Sequence, residues 1–69
     1  MKYLVIIERD KNNYAAYSPD VPGCIATGKT PEETMDSFKK ALKMHLDGLK
    51  EDGLPIPAPL AQAEYVAVP

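Results

Sequence analysis

Three carboxylates lie close to strand-forming sequence: Glu8, Asp10 and Asp20. Converged on a sheet, such groups can hold two divalent cations that clamp the attacking and leaving oxygens of a phosphodiester. Here Asp10 opens the turn-forming run Asp10-Lys11-Asn12-Asn13, and Asp20 stands between Pro19 and Pro22. Asp in such places ordinarily shapes a turn. The pattern therefore assigns no catalytic residue and no metal site. Cys24 and His45 form the next candidate pair, as nucleophile and base. That chemistry needs a third group to orient the base. One Cys and one His also fall short of the four ligands of a structural zinc site. Cys24 is read as a small hydrophobe on a strand, and His45 as a partly buried member of an apolar helix stripe. Lys39, Lys40, Lys43 and Lys50 suggest a basic helical face. Asp36, Asp47 and Glu51 interleave with them, so pairs at three- and four-residue spacing are the expected use. Recognition of double-stranded RNA wants an uncompensated basic face. No cofactor is implied.

The elements that position these residues follow from periodicity. Lys2 to Arg9 reads as a first strand, with Tyr3, Leu4, Val5, Ile6 and Ile7 apolar without a break. After the Asp-Asn turn, Tyr14 to Tyr17 reads as its hairpin partner. Pro19 and Pro22 fix their own φ and push Ser18 and Val21 towards extended geometry. Gly23 permits a positive φ. Cys24 to Thr27 is a short third strand. Thr30, Pro31 and Glu33 then make a helix start, with Thr30 as N-cap, Pro at the first helical position and a Thr-x-x-Glu capping box. From Pro31 to about Asp52, residues Met35, Phe38, Leu42, His45, Leu46 and Leu49 recur at helical spacing, and Ala41 widens the stripe. Gly53, Pro55 and Pro57 end the helix, and Gly48 within it reads as tolerated. Leu54 to Pro59 is expected to be extended and stiff. Glu64 to Val68 reads as a last strand. The predicted fold is α+β, in the order β-β-β-α-β, with one long helix on one face of an antiparallel sheet.

Sixty-nine residues predict one domain, 1–69. A chain of that size buries only about 60% of its unfolded surface and is marginal alone. With one cysteine there is no internal disulfide, which leaves association as the stabilising device. The lone Cys points to a reducing cytoplasm, and no apolar run is long enough to span a membrane. A net charge of −2 argues against a nucleic-acid footprint and favours a basic protein partner. The first strand adds a demand of its own. Tyr3, Val5 and Ile7 point one way, and Leu4 and Ile6 the other. One helix dries one face, so these five residues are expected at a self-association surface of a homodimer or higher oligomer.

The chain resembles the HicB-like antitoxin family. The resemblance rests on the opening Tyr3-Leu4-Val5-Ile6-Ile7-Glu8, on Tyr14-Ala15-Ala16-Tyr17-Ser18-Pro19-Asp20-Val21-Pro22-Gly23-Cys24, on Thr27-Gly28-Lys29-Thr30-Pro31-Glu32-Glu33, and on the exit Gly53-Leu54-Pro55-Ile56-Pro57-Ala58-Pro59. It implies a partial ribonuclease-H or double-stranded-RNA-binding-like fold that performs no catalysis. It also implies a partner, a small basic HicA-like ribonuclease toxin that cleaves mRNA. Longer members continue into a DNA-binding module. With the chain read as the single domain 1–69, operator binding is not expected of it alone. The expected toxin-binding residues are Tyr14, Tyr17, Asp20, Val21 and Pro22, because Tyr brings large area at small rotamer cost and Asp20 can pair with a toxin Lys or Arg. The alternative reading is a small RNA-binding protein of the same fold.

Overall fold

A computed structural model describes all of residues 1–69. Three four-residue strands, β1 (Ile6–Arg9), β2 (Tyr14–Tyr17) and β3 (Ile25–Gly28), precede one helix, α1 (Pro31–Glu51). The sheet is antiparallel in the order β1-β2-β3. The α+β expectation holds, with β3 one residue later than the expected Cys24 to Thr27, so that Cys24 lies in the loop before it, and with two larger corrections. First, the ladder begins at Ile6 rather than Lys2. Val5 would have to pair with Ser18 and Leu4 with Pro19, where the chain turns away and Pro19 has no N–H to give. Second, Glu64 to Val68 is not a strand; from Leu54 onward the chain has neither helix nor strand.

The loop after β2 is two β-turns in succession. The Val21 amide donates to the Ser18 carbonyl at 3.2 Å, and the Cys24 amide to the Val21 carbonyl at 3.3 Å. Pro19 and Pro22 each occupy the second position of a turn. Gly23 follows Pro22 with φ +85°, which makes the second turn type II. The double reversal carries Val21 and Cys24 inward.

The helix ends were legible in the sequence, and the structure adds their geometry. The Glu33 amide donates to Thr30 Oγ1 at 3.0 Å. The Glu33 carboxylate accepts from the Lys29 amide at 3.1 Å, one residue earlier than the standard box. At the other end the Gly53 amide donates to the Lys50 carbonyl and the Leu54 amide to the Leu49 carbonyl, with Gly53 at φ +69°. That is a Schellman motif.

The core is small. Ala16, Val21, Cys24 and Phe38 are buried, with Tyr3, Val5, Ala26, Ala41 and Leu42 packed around them. The ladder register explains this set. Ile7, Ala16 and Ala26 are cross-strand partners, and paired residues share a face, so the face carrying Tyr3, Val5, Ile7, Ala16 and Ala26 lies under the helix. Thr34 is buried there too, its hydroxyl donating to the Thr30 carbonyl at 2.7 Å. At about 31 Å the helix is more than twice the length of a four-residue strand. Its second half, with His45, Leu46 and Leu49, overhangs the sheet and is half-buried.

Candidate interaction surface

The face of the sheet turned away from the helix carries Leu4, Ile6 and Glu8 from the first segment, Ala15 and Tyr17 from β2, and Ile25 and Thr27 from β3. The register aligns Ile6, Tyr17 and Ile25 in one row across all three strands. Ile25 is 63% exposed and Tyr17 half-buried. Glu8 sits beside this row. Hydrogen bonding to the Glu8 carboxylate, then partial burial, then the carboxylate's charge hold the Tyr17 hydroxyl above its ordinary pKa. The row therefore offers an apolar band with a neutral phenol at its centre and an acid beside it, a composition that suits a basic protein surface.

The five residues predicted to bind a partner do not form one patch. Tyr14 and Tyr17 are three apart on one strand, so they point to opposite faces. Only Tyr17 belongs to the open face; Tyr14 lies on the helix side, level with Arg9 and Gly28. Val21 is fully buried, packed in the core by the double turn. Pro22 is exposed on the loop. Asp20 is engaged at home, its Oδ2 accepting from the Ala61 amide at 2.9 Å. Ile6 and Ile25 were missed as neighbours of Tyr17, although strand parity would have found them once the register was known.

The five residues expected at a self-association surface also divide. Tyr3 and Val5 pack on the core, and Ile7 shares their face at 36% exposure. Leu4 and Ile6 lie half-buried on the open face. The Tyr3 hydroxyl donates to the Pro57 carbonyl at 2.6 Å, tying the chain after the helix to the segment that leads into β1.

The reactive-looking residues have structural partners. Asp10 Oδ1 accepts from the Lys11 amide at 2.8 Å within the hairpin turn. Cys24 is buried, and burial pushes its thiol up, away from the thiolate that nucleophilic attack needs. No three of the His, Cys, Asp and Glu side chains converge closely enough to hold a metal ion. On the helix, Lys43 Nζ pairs with Asp47 at 2.8 Å, as the spacing predicts. No helix is long and apolar enough to cross a membrane.

Fold and surface define an α+β domain with one sheet face covered by a helix and the other open. The sequence model of a family described as "HicB_like antitoxin of bacterial toxin-antitoxin system" matches residues 3–69. An uncharacterized 14.9 kDa protein in the rep-hol intergenic region of Haemophilus phage HP1 is 35% identical over 69 residues, covering all of this chain and 52% of the phage protein. The protein named Antitoxin HicB 2 of Photorhabdus laumondii is 36% identical over 70 residues, covering all of this chain and 50% of its own length. A UPF0150 protein of Thermoplasma acidophilum is 38% identical over 58 residues, 84% of its length. The chain thus spans about half the length of the phage and Photorhabdus relatives. Among solved structures, a chain of a "HicA3 and HicB3 toxin-antitoxin complex" superposes with a TM-score of 0.72 at 27% identity, over 87% of this chain and 70% of that one. The chain belongs to the HicB-like antitoxin family.

Proposed function

We propose that this chain is an antitoxin module that binds a small basic HicA-type ribonuclease in the cytoplasm and occludes its mRNA-cleaving surface. It acts by binding and performs no catalysis. One observation carries the reading: the family match runs from residue 3 to residue 69, and the matching fold occurs in a toxin–antitoxin complex. The binding surface proposed is the open sheet face, with Tyr17 at its centre, Ile6 and Ile25 on either side, and Glu8 as the acid facing the toxin's Lys and Arg. Pro22 lies on the exposed side of the adjoining loop. A sequence pI near 5.2 suits a basic partner.

The test is co-expression with the small basic reading frame next to its gene, with growth and co-purification as readouts. Wild type should restore growth and hold the toxin. Tyr17→Arg and Ile25→Glu, checked for native helicity, should lose both. A toxin that kills regardless of wild type would overturn the antitoxin reading. Full rescue by both variants would overturn the choice of face. The RNA-binding alternative draws on the helix lysines, and Lys43 is already paired with Asp47. Salt-dependent RNA binding by the purified chain would revive it.

A further inference from the structure

After the helix the chain is tied to the body at Pro57, through Tyr3, and at Ala61, through Asp20. Beyond Ala61 no hydrogen bond involves it. Tyr65, Val66 and Val68 are 105%, 81% and 82% exposed. Yet Glu64-Tyr65-Val66-Ala67-Val68 is rich in β-branched and aromatic residues, a strand composition. The molecule is extended as a whole. The radius of gyration is 13.5 Å, against about 11 Å for a compact chain of this length.

The arm faces another unsatisfied element. β1 is an edge strand, and its outer N–H and C=O groups have no partner in the sheet. Between the two lies a cleft of about 500 Å³, lined by Leu4, Val5, Ile6 and Ile7 on one side and Ala63, Glu64 and Tyr65 on the other. Residues of both parities line it, so it follows the backbone edge rather than a sheet face. Tyr3 is tied to Pro57, and Leu4–Ile7 stands across from Ala63–Tyr65. The arm and β1 therefore advance in the same direction.

We propose that residues 64–68 of a second copy of this chain fill the cleft, pairing on one side with β1 and on the other with the arm of the copy they enter. The exchange is reciprocal about a two-fold axis between the arms. The resulting sheet runs β3-β2-β1-arm′-arm-β1′-β2′-β3′. A two-fold perpendicular to the sheet makes the arms antiparallel to each other. Since each arm runs parallel to its own β1, the incoming arm is antiparallel to both neighbours. Every new junction then continues the antiparallel pattern of the existing sheet. The chain's own arm closing on β1 would instead insert a parallel pair. Three new junctions of about five residues each, on a sheet about 10 Å thick, bury roughly 1,000 Å², the threshold for a specific interface. Centring the axis on Val66 sets Tyr65 opposite Ala67′ and Glu64 opposite Val68′. That register pairs large with small and keeps the arm's one acid away from its copy.

Sedimentation equilibrium at tens of micromolar should give twice the chain mass of 7.6 kDa. Val66→Pro removes a ladder N–H from an arm that makes no hydrogen bond in the single chain. It should halve the mass and leave the helical circular dichroism unchanged. In a Cys24→Ala background, Val66→Cys should oxidise to a disulfide-linked pair, because facing Cα atoms of an antiparallel ladder lie within disulfide reach. Ile25→Cys, on the far side of the sheet from the arm, should cross-link far more slowly. A monomeric wild type, a Val66→Pro dimer, or equal cross-linking at the two positions would each overturn the exchange.

Discussion

The same substitution, Gly→Ala, is expected to act with opposite sign at two positions, and the structure sets both magnitudes. Gly48 lies inside α1, and a Cβ built there meets nothing within 4 Å. Alanine there restricts the unfolded chain and satisfies the helix, a gain of about 0.5–1 kcal/mol. Gly28 ends β3 where the sheet meets the first turn of the helix. Its Cβ would stand 2.7 Å from Thr34 Oγ1, 2.9 Å from the Thr34 amide nitrogen and 3.1 Å from its Cα. Two of those three atoms are backbone, so no rotamer change relieves the clash. The Thr34 hydroxyl is held as well, donating to the Thr30 carbonyl at 2.7 Å. The first turn of the helix has to move off the sheet, which costs about 1–3 kcal/mol, the range seen for overpacked cores. Total stability for a chain of this length is about 3–10 kcal/mol. Thermal or urea denaturation at one fixed protein concentration is the assay, since association shifts the midpoint. For a domain this small each kcal/mol moves Tm by roughly 4–8 °C. Gly48→Ala should melt higher than wild type and Gly28→Ala lower. A Gly28→Ala protein that melts at or above wild type would show that helix and sheet do not approach at Thr34 as described.

Thr30→Ala should cost about 1 kcal/mol by leaving the Glu33 amide without its acceptor, read from the urea midpoint. Ser18→Ala should be neutral or stabilising, because the buried Ser18 hydroxyl has no hydrogen-bond partner to lose; a drop in Tm would reveal one. Tyr17 should ionise above the ordinary tyrosine value, and Glu8→Gln should bring its titration down. NMR titration assigned with Tyr17→Phe reads this directly. The sign follows from linkage: the folded state holds the proton more tightly, so this contribution is complete below pH 10 and is lost as pH rises through the folded pKa.

What was legible in the sequence was local. Thr30-Pro31-Glu32-Glu33 and Gly53-Leu54 carry their chemistry within five residues, and both helix ends fall where those residues place them. The loop prolines and Gly23 were legible for the same reason. Long-range placement was not. Nothing in Asp20-Val21-Pro22 announces that two stacked turns bury Val21 and aim Asp20 at an amide 41 residues away. Thr34 fits the helix stripe, four residues before Phe38, but its polarity hid it from an apolar count. Gly28 reads as a turn residue until the helix is docked against it. Glu64 to Val68 has the composition of a strand, but composition cannot say which edge the strand pairs with. In the single chain it pairs with none.

The small core connects these points. Six residues of sixty-nine are buried, so the single chain covers little of its apolar sequence completely. The open face of a three-stranded, four-residue sheet projects only about 200 Å², far below the roughly 800 Å² that each partner contributes to a specific complex. In the proposed exchange, eight strands would span about 38 Å and would set the two Ile6-Tyr17-Ile25 rows on one continuous surface. A two-fold perpendicular to the sheet keeps both rows on the same side. If toxin binding uses that surface, then dimerisation and binding are thermodynamically linked. Val66→Pro, far from Tyr17, should then weaken toxin capture while Tyr17→Arg leaves the dimer intact. Equal toxin affinity for wild type and Val66→Pro would place the toxin on a single protomer and separate the two roles.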